Sequence, residues 1–169
     1  MLIVAAFEGP YGGHYSMSSY GHCVLFAGSS GITYQLSYLR YLTAGCFART
    51  VATRRITLIW VTRDIKHLSW IEPWLEEILR VPTGYALSIK VFITKAKGVL
   101  MDEQADARIS LYGGRPNVQS LLDEEVDSQV GAMCVSVCGP GAFADDVREA
   151  AREVQDVAAI DFLKESFTW

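Results

Sequence analysis

A few short stretches carry residue types that could hold a ligand. Gly28-Ser29-Ser30-Gly31-Ile32-Thr33 follows an apolar run and opens an amphipathic one. Glycines there let the backbone approach a phosphate, and free N–H groups at a helix start favour an anion. Taken alone the turn is equally an ordinary strand-to-helix connection. A full dinucleotide fingerprint has three glycines, and the spacing is not the G-x-S-x-G of a hydrolase elbow. Thr62-Arg63-Asp64 follows the next apolar run. At this place in a nucleotide-binding sheet an acid takes a ribose 2′-hydroxyl and an arginine takes a 2′-phosphate. Arg63 stands nearer the strand than Asp64, which favours NADPH over NADH; the plainer reading is a surface Arg–Asp pair. Gly113-Gly114-Arg115-Pro116-Asn117 is a turn into a helix capped near Pro116 or Asn117. Arg115 is a second cation for the same phosphate or a simple turn arginine. Cys138-Gly139-Pro140-Gly141 ends another apolar run. Its turn exposes backbone, and Cys138 either borders a redox centre or packs as a small hydrophobe. Trp169 closes the chain, free to stack on a flat ligand or against a sheet edge.

These turns need elements to position them. Cys23–Ala27, Arg55–Val61, Leu87–Ile93, Ala132–Cys138 and Ala158–Phe162 read as strands, most of them apolar on both faces. Helical stripes lie between them: Ile32, Leu36 and Leu39; Ile71, Trp74, Leu75, Ile78 and Leu79; Phe143, Val147, Ala150, Ala151 and Val154. Two-sided apolar strands alternating with helices predict an α/β fold: a doubly wound, mainly parallel sheet of about five strands with helices on both faces. Ligands of such sheets bind beyond the carboxyl ends of the strands, at the switch point. The start of the second helix is ambiguous. Ser69 and Glu72 have capping-box spacing, but Pro73 prefers a first turn and argues for a later cap. Asp145 and Asp146 are expected in the first turn of the last helix, where the dipole favours negative charge. Residues 98–130 are polar and acidic. They read as a solvated surface with a loop and a short helix near Val118–Leu122.

Composition narrows the function classes. The 169 residues are 50% hydrophobic and 20% charged, as in a globular domain, with a net charge of −4. That balance argues against a nucleic-acid binder. No apolar run approaches the ~20 residues of a bilayer span. The N-terminus does not read as a signal peptide. Four cysteines form neither a disulfide framework nor a zinc pattern, and the three histidines are scattered. No histidine pairs with an evident nucleophile, so serine hydrolysis is disfavoured, and no metal site is expected.

In order, Glu8-Gly-Pro-Tyr-Gly12, Gly28-Ser-Ser-Gly-Ile-Thr33, Trp60-Val-Thr-Arg-Asp64, Gly114-Arg-Pro-Asn117, Cys138-Gly-Pro140 and Glu165-Ser-Phe-Thr-Trp169 span the chain. The ordered set resembles the C-terminal NADPH-binding domain of fungal ferric-chelate reductases, in the ferric reductase/NADPH oxidase group. The resemblance implies a Rossmann-like module in which Gly28 to Thr33 bind the NADPH pyrophosphate. Arg63 and Arg115, with Asp64, Gly114 and Pro116 beside them, would hold the 2′-phosphate and ribose. Cys138, Gly139 and Pro140 would border the nicotinamide, and Trp169 would stack where it meets the flavin. Residues 1–16 would be the end of a preceding FAD-binding domain and its linker, and residues 17–169 the NADPH-binding domain. Many relatives have a second glycine where Ser29 stands. Neither the flavin barrel nor the haem-bearing membrane helices lie in this sequence, so the chain reads as part of a longer parent. That parent would act from the cytosolic side of a membrane, the plasma membrane by resemblance, passing electrons from NADPH through FAD and haem to a ferric or cupric chelate. A superoxide-forming NADPH oxidase, a non-enzymatic nucleotide sensor and a flavodoxin-like FMN carrier are the rival readings.

Overall fold

A computed structural model describes residues 16–82, 84–96, 98–100 and 106–165. The expected FAD-domain remnant, apart from Ser16, and Trp169 lie outside these residues. The elements run in the order β1 (His22–Gly28), α1 (Ile32–Ala48), β2 (Arg55–Thr62), α2 (Leu68–Leu79), β3 (Ala86–Ile93), β4 (Gly98–Leu100), β5 (Ile109–Gly113), α3 (Val118–Asp127), β6 (Met133–Cys138), α4 (Gly141–Val154) and β7 (Ile160–Glu165). They form a seven-stranded sheet of order β4-β5-β3-β2-β1-β6-β7. All pairings are parallel except β4 against β5. No helix of the described residues is long and apolar enough to cross a membrane.

The alternating side chains of the central strands feed two separate cores. Cys23, Leu25, Ile56, Leu58, Trp60 and Ile89 pack with Leu36, Leu39, Ile71 and Leu75 of α1 and α2. Val24, Phe26, Ile59, Val135 and Val137 pack with Leu121 and Leu122 of α3 and Val147 and Ala151 of α4. Both faces are therefore covered, as parallel strands require. β2, the next strand in the chain, and β6, four strands further on, flank β1 on opposite sides. The order thus reverses between β1 and β6, and a crevice opens beyond their carboxyl ends.

Several local expectations change. Residues 98–130 contain two strands, β4 and β5, and α3 extends to Asp127. Within that stretch Glu125 is not solvated but 1% exposed. It joins β1, β2 and α3: His22 Nε2 lies 3.0 Å from its Oε2, and Arg55 Nε at 3.0 Å and Thr57 Oγ1 at 2.9 Å donate to the same oxygen. Burial pushes the Glu125 carboxyl up, but these three hydrogen bonds more than offset it and hold it down at about 2. Helix α2 begins at Leu68, because a 3-10 turn over Ile65–His67 runs directly into it. Pro73 then sits inside the helix, and Ser69 donates back to the Lys66 carbonyl instead of capping. Helix α4 begins at Gly141, which moves Asp145 and Asp146 into its second turn.

Candidate functional site

Two loops meet at the switch point. The first leaves β1 at Gly28, makes a 3-10 turn over Ser29–Gly31 and enters α1. The second leaves β6 at Cys138 and enters α4 behind Pro140. Ala27 pairs with Cys138 across the sheet, so the loops start side by side. Their backbones touch, and glycine is what allows it. A Cβ on Gly139 would lie 2.8 Å from Gly28 Cα, and one on Gly28 would lie 2.7 Å from Pro140 Cδ. One on Gly31 would run into the Cys138 carbonyl oxygen and lie 2.6 Å from its carbon. Real Cβ atoms essentially never come within 3.0 Å of another atom, so each position excludes even alanine unless the loops part.

Beside this contact runs a groove of about 300 Å³. Its lining includes Gly28, Ser29, Arg63, Arg115, Pro116 and Pro140. Residues at or just after the ends of four separate strands, β1, β2, β5 and β6, thus share one wall system. Among the described residues neither Arg63 nor Arg115 is in an ion pair, and the same holds for Arg49, Arg54 and Arg152, whereas Arg40, Arg55, Arg80, Arg108 and Arg148 are paired. Arg115 precedes α3, whose first turn is fixed by Asn117: its side chain accepts from Ser120 N–H at 3.1 Å.

Other expected residues stand apart from the groove lining. Asp64 turns away into its own 3-10 turn, where it accepts from Lys66 N–H at 3.1 Å and lies 3.7 Å from Lys95 Nζ. The Lys66 hydrogen bond is the main reason its carboxyl is held below the usual range. Ser30, Gly31, Gly114 and Gly139 are in the surrounding turns, and Ile32 opens α1. Ile32 is 2% exposed and belongs to the core. Thr33 donates to the Ser30 carbonyl at 3.0 Å and lines a different groove between α1 and α2. Cys138 is 1% exposed. Burial, then the charge of neighbouring Glu165, pushes its thiol up to about 11, so it is protonated near neutral pH.

The groove also has residues that were not among the expected ligand contacts: Val61, Thr62, Thr94, Val118, Ala142, Phe143 and Asp146. Phe143 read only as part of a core stripe and Asp146 only as a dipole partner. Val61 and Thr62 close β2, and the others stand within the first two turns after a strand end, which places them all at the mouth of the crevice.

The class is therefore a doubly wound α/β domain with a switch-point groove of the nucleotide-binding kind. Residues 20–152 match the ferric reductase NAD binding domain, and the chain belongs to that family. It is 28% identical to ferric reductase transmembrane component 3 of Saccharomyces cerevisiae over 97% of the chain and 27% of that relative. It is 25% identical to NADPH oxidase 4 of Homo sapiens over 95% of the chain and 29% of that protein. Over 48% of the chain it is 35% identical to a probable cell surface ferric reductase of Aspergillus oryzae, covering 10% of the latter. The chain thus spans under a third of the length of these relatives.

Proposed function

We propose that the chain is the NADPH-binding domain of a ferric- or cupric-chelate reductase, serving an FAD-binding domain and a haem-bearing membrane domain of its parent protein. The observation that carries the reading is the pair of guanidinium groups, Arg63 and Arg115, without ion-pair partners among the described residues and lining one groove with Gly28 and Ser29. A groove lined by the Gly28–Ser29 turn and by two guanidinium groups that make no ion pair among the described residues, with Asp146 as its one acidic lining residue, fits a phosphorylated ligand.

The residues divide the work by chemistry. Gly28 to Thr33 form the turn whose backbone would bind the pyrophosphate, with Gly31 and Thr33 closing the turn from behind. Arg63 and Arg115, with Gly114 and Pro116 setting the second one's turn, would grip the 2′-phosphate. Asp64 would hold the turn that presents Arg63. Cys138, Gly139 and Pro140 would border the nicotinamide, and Trp169 would stack against it. When bound, NADPH supplies a hydride to a flavin. The protein's part is placement; a protonated, buried Cys138 thiol offers an uncharged wall there.

Single changes of Arg63 or Arg115 to alanine remove charge-assisted hydrogen bonds worth roughly 1.5–3 kcal/mol each. NADPH affinity should fall about ten- to a hundredfold, and NADH affinity should stay within about twofold. Calorimetric titration of both nucleotides checks this; equal losses would remove the 2′-phosphate assignment. The likeness to NADPH oxidase 4 keeps a superoxide-forming parent as the second reading. Ferric reduction against superoxide release by the full-length parent decides between them.

A further inference from the structure

We infer that Trp60 is a positioning residue of the nucleotide groove, acting through the Ser29 carbonyl; this rests on the nucleotide-binding reading above. Trp60 lies on β2 with 1% exposure, inside the α1/α2 core. It is absent from the groove lining, so it acts at one remove. A buried indole N–H needs an acceptor. Trp60 Nε1 donates to the carbonyl oxygen of Ser29 at 3.0 Å. The same oxygen accepts the backbone N–H of Ile32, the first residue of α1. One carbonyl therefore ties β2, the turn and the helix start together.

What it holds is unusual backbone. Ser29 has φ of 52°, in the left-handed region that side chains rarely adopt. Serine enters it against a steric cost, so its conformation must be fixed from outside. The two donors on its carbonyl do this. In a trans peptide C=O and N–H point in opposite directions. With the Ser29 oxygen drawn toward the indole, the Ser30 N–H is turned away from the core. Ser29 itself lines the groove. The turn is thus set in a ligand-ready shape beforehand, which spares the ligand the cost of ordering it.

The test compares Trp60→Phe with replacement of Trp60 by 3-benzothienylalanine, an isostere that keeps the shape and lacks the N–H. NADPH, NADH and 2′-AMP are titrated calorimetrically into each full chain. Both variants should bind NADPH and NADH about five- to tenfold more weakly, to the same degree, because the turn faces the pyrophosphate that both share. Binding of 2′-AMP, which has no pyrophosphate, should stay within about twofold. Unchanged dinucleotide binding by the isostere would overturn the inference and leave the nucleotide-binding reading standing. Equal weakening of 2′-AMP would also overturn it, by showing general loosening of the fold. An unaltered chain that binds none of the three would remove the nucleotide-binding reading itself.

Discussion

Gly31→Ala isolates the contact between the two switch-point loops. Gly31 has φ −59° and ψ −11°, which alanine adopts without strain. The perturbation is therefore purely steric. The new Cβ would lie 2.6 Å from the Cys138 carbonyl carbon, where ordinary contact begins at 3.4 Å. The loops must part by at least about 0.8 Å, since the carbonyl oxygen lies nearer still, and the obstacle is backbone on both sides, so no rotamer relieves it. Overpacking of this kind costs typically 1–3 kcal/mol. At roughly 2–4 °C per kcal/mol for a domain of this size, Tm should fall by about 2–12 °C. Gly141→Ala is the matched control, because a Cβ there meets nothing within 4 Å and alanine favours the helix it opens. Melting followed by circular dichroism should place the control within about 2 °C of the parent or above it. On the proposed function, a shift approaching 1 Å between the Gly28–Thr33 turn and the Cys138–Pro140 turn should lower turnover of the full-length parent by on the order of a hundredfold. If Gly31→Ala melts together with Gly141→Ala, the two loops are not in the contact described, and the argument for a rigid crevice fails.

Two other measurements probe groups away from that contact. Glu125→Gln leaves Arg55, and Lys90, whose Nζ lies 3.7 Å from Glu125 Oε1, without their buried counter-charge and should cost about 3–5 kcal/mol in urea unfolding; a loss under 1 kcal/mol would refute the network's role. The Glu125 carboxyl is depressed from 4.5 to about 2. Its stabilisation is accordingly full above pH 4.5 and lost as pH falls toward 2, and that part of the acid-unfolding curve should be missing in the glutamine variant. Cys138, with its thiol near 11 against 9.0 for an unperturbed one, should alkylate about a hundredfold more slowly at pH 7.5 than in the urea-unfolded chain. Mass spectrometry of the labelled peptide reads this, and equal rates would show the thiol to be open and ionisable.

The central sheet was legible because its strands are apolar on both faces, a pattern that survives without any knowledge of neighbours. β5 was not: Ile109–Gly113 is mostly half-exposed and lies in an acidic stretch whose composition outweighed it. Charge composition also misread Glu125. Its burial depends on His22, Arg55 and Thr57 arriving from two other strands, and only sheet register brings them together. At α2, Ser69 and Pro73 carried genuine local preferences, but the preceding 3-10 turn had already started the helix. The groove was legible as a place, since strand ends define it. Arg63 and Arg115 could be named from type and position. Trp60 was visible only as part of a motif, because a hydrogen bond across 31 positions leaves no trace in spacing. Asp64 is the reverse case: a suitable residue at a suitable place, engaged instead by its own backbone.

The rims of the sheet bear on how this domain avoids its own kind. One rim is β4, three residues long and antiparallel to its neighbour. The other is β7, whose exposed positions include Asp161 and Lys164. A stub that short offers little ladder for a stranger's backbone, and charges along the far rim disfavour zippering there. Fusion of two such sheets edge to edge is thereby discouraged at both of these rims.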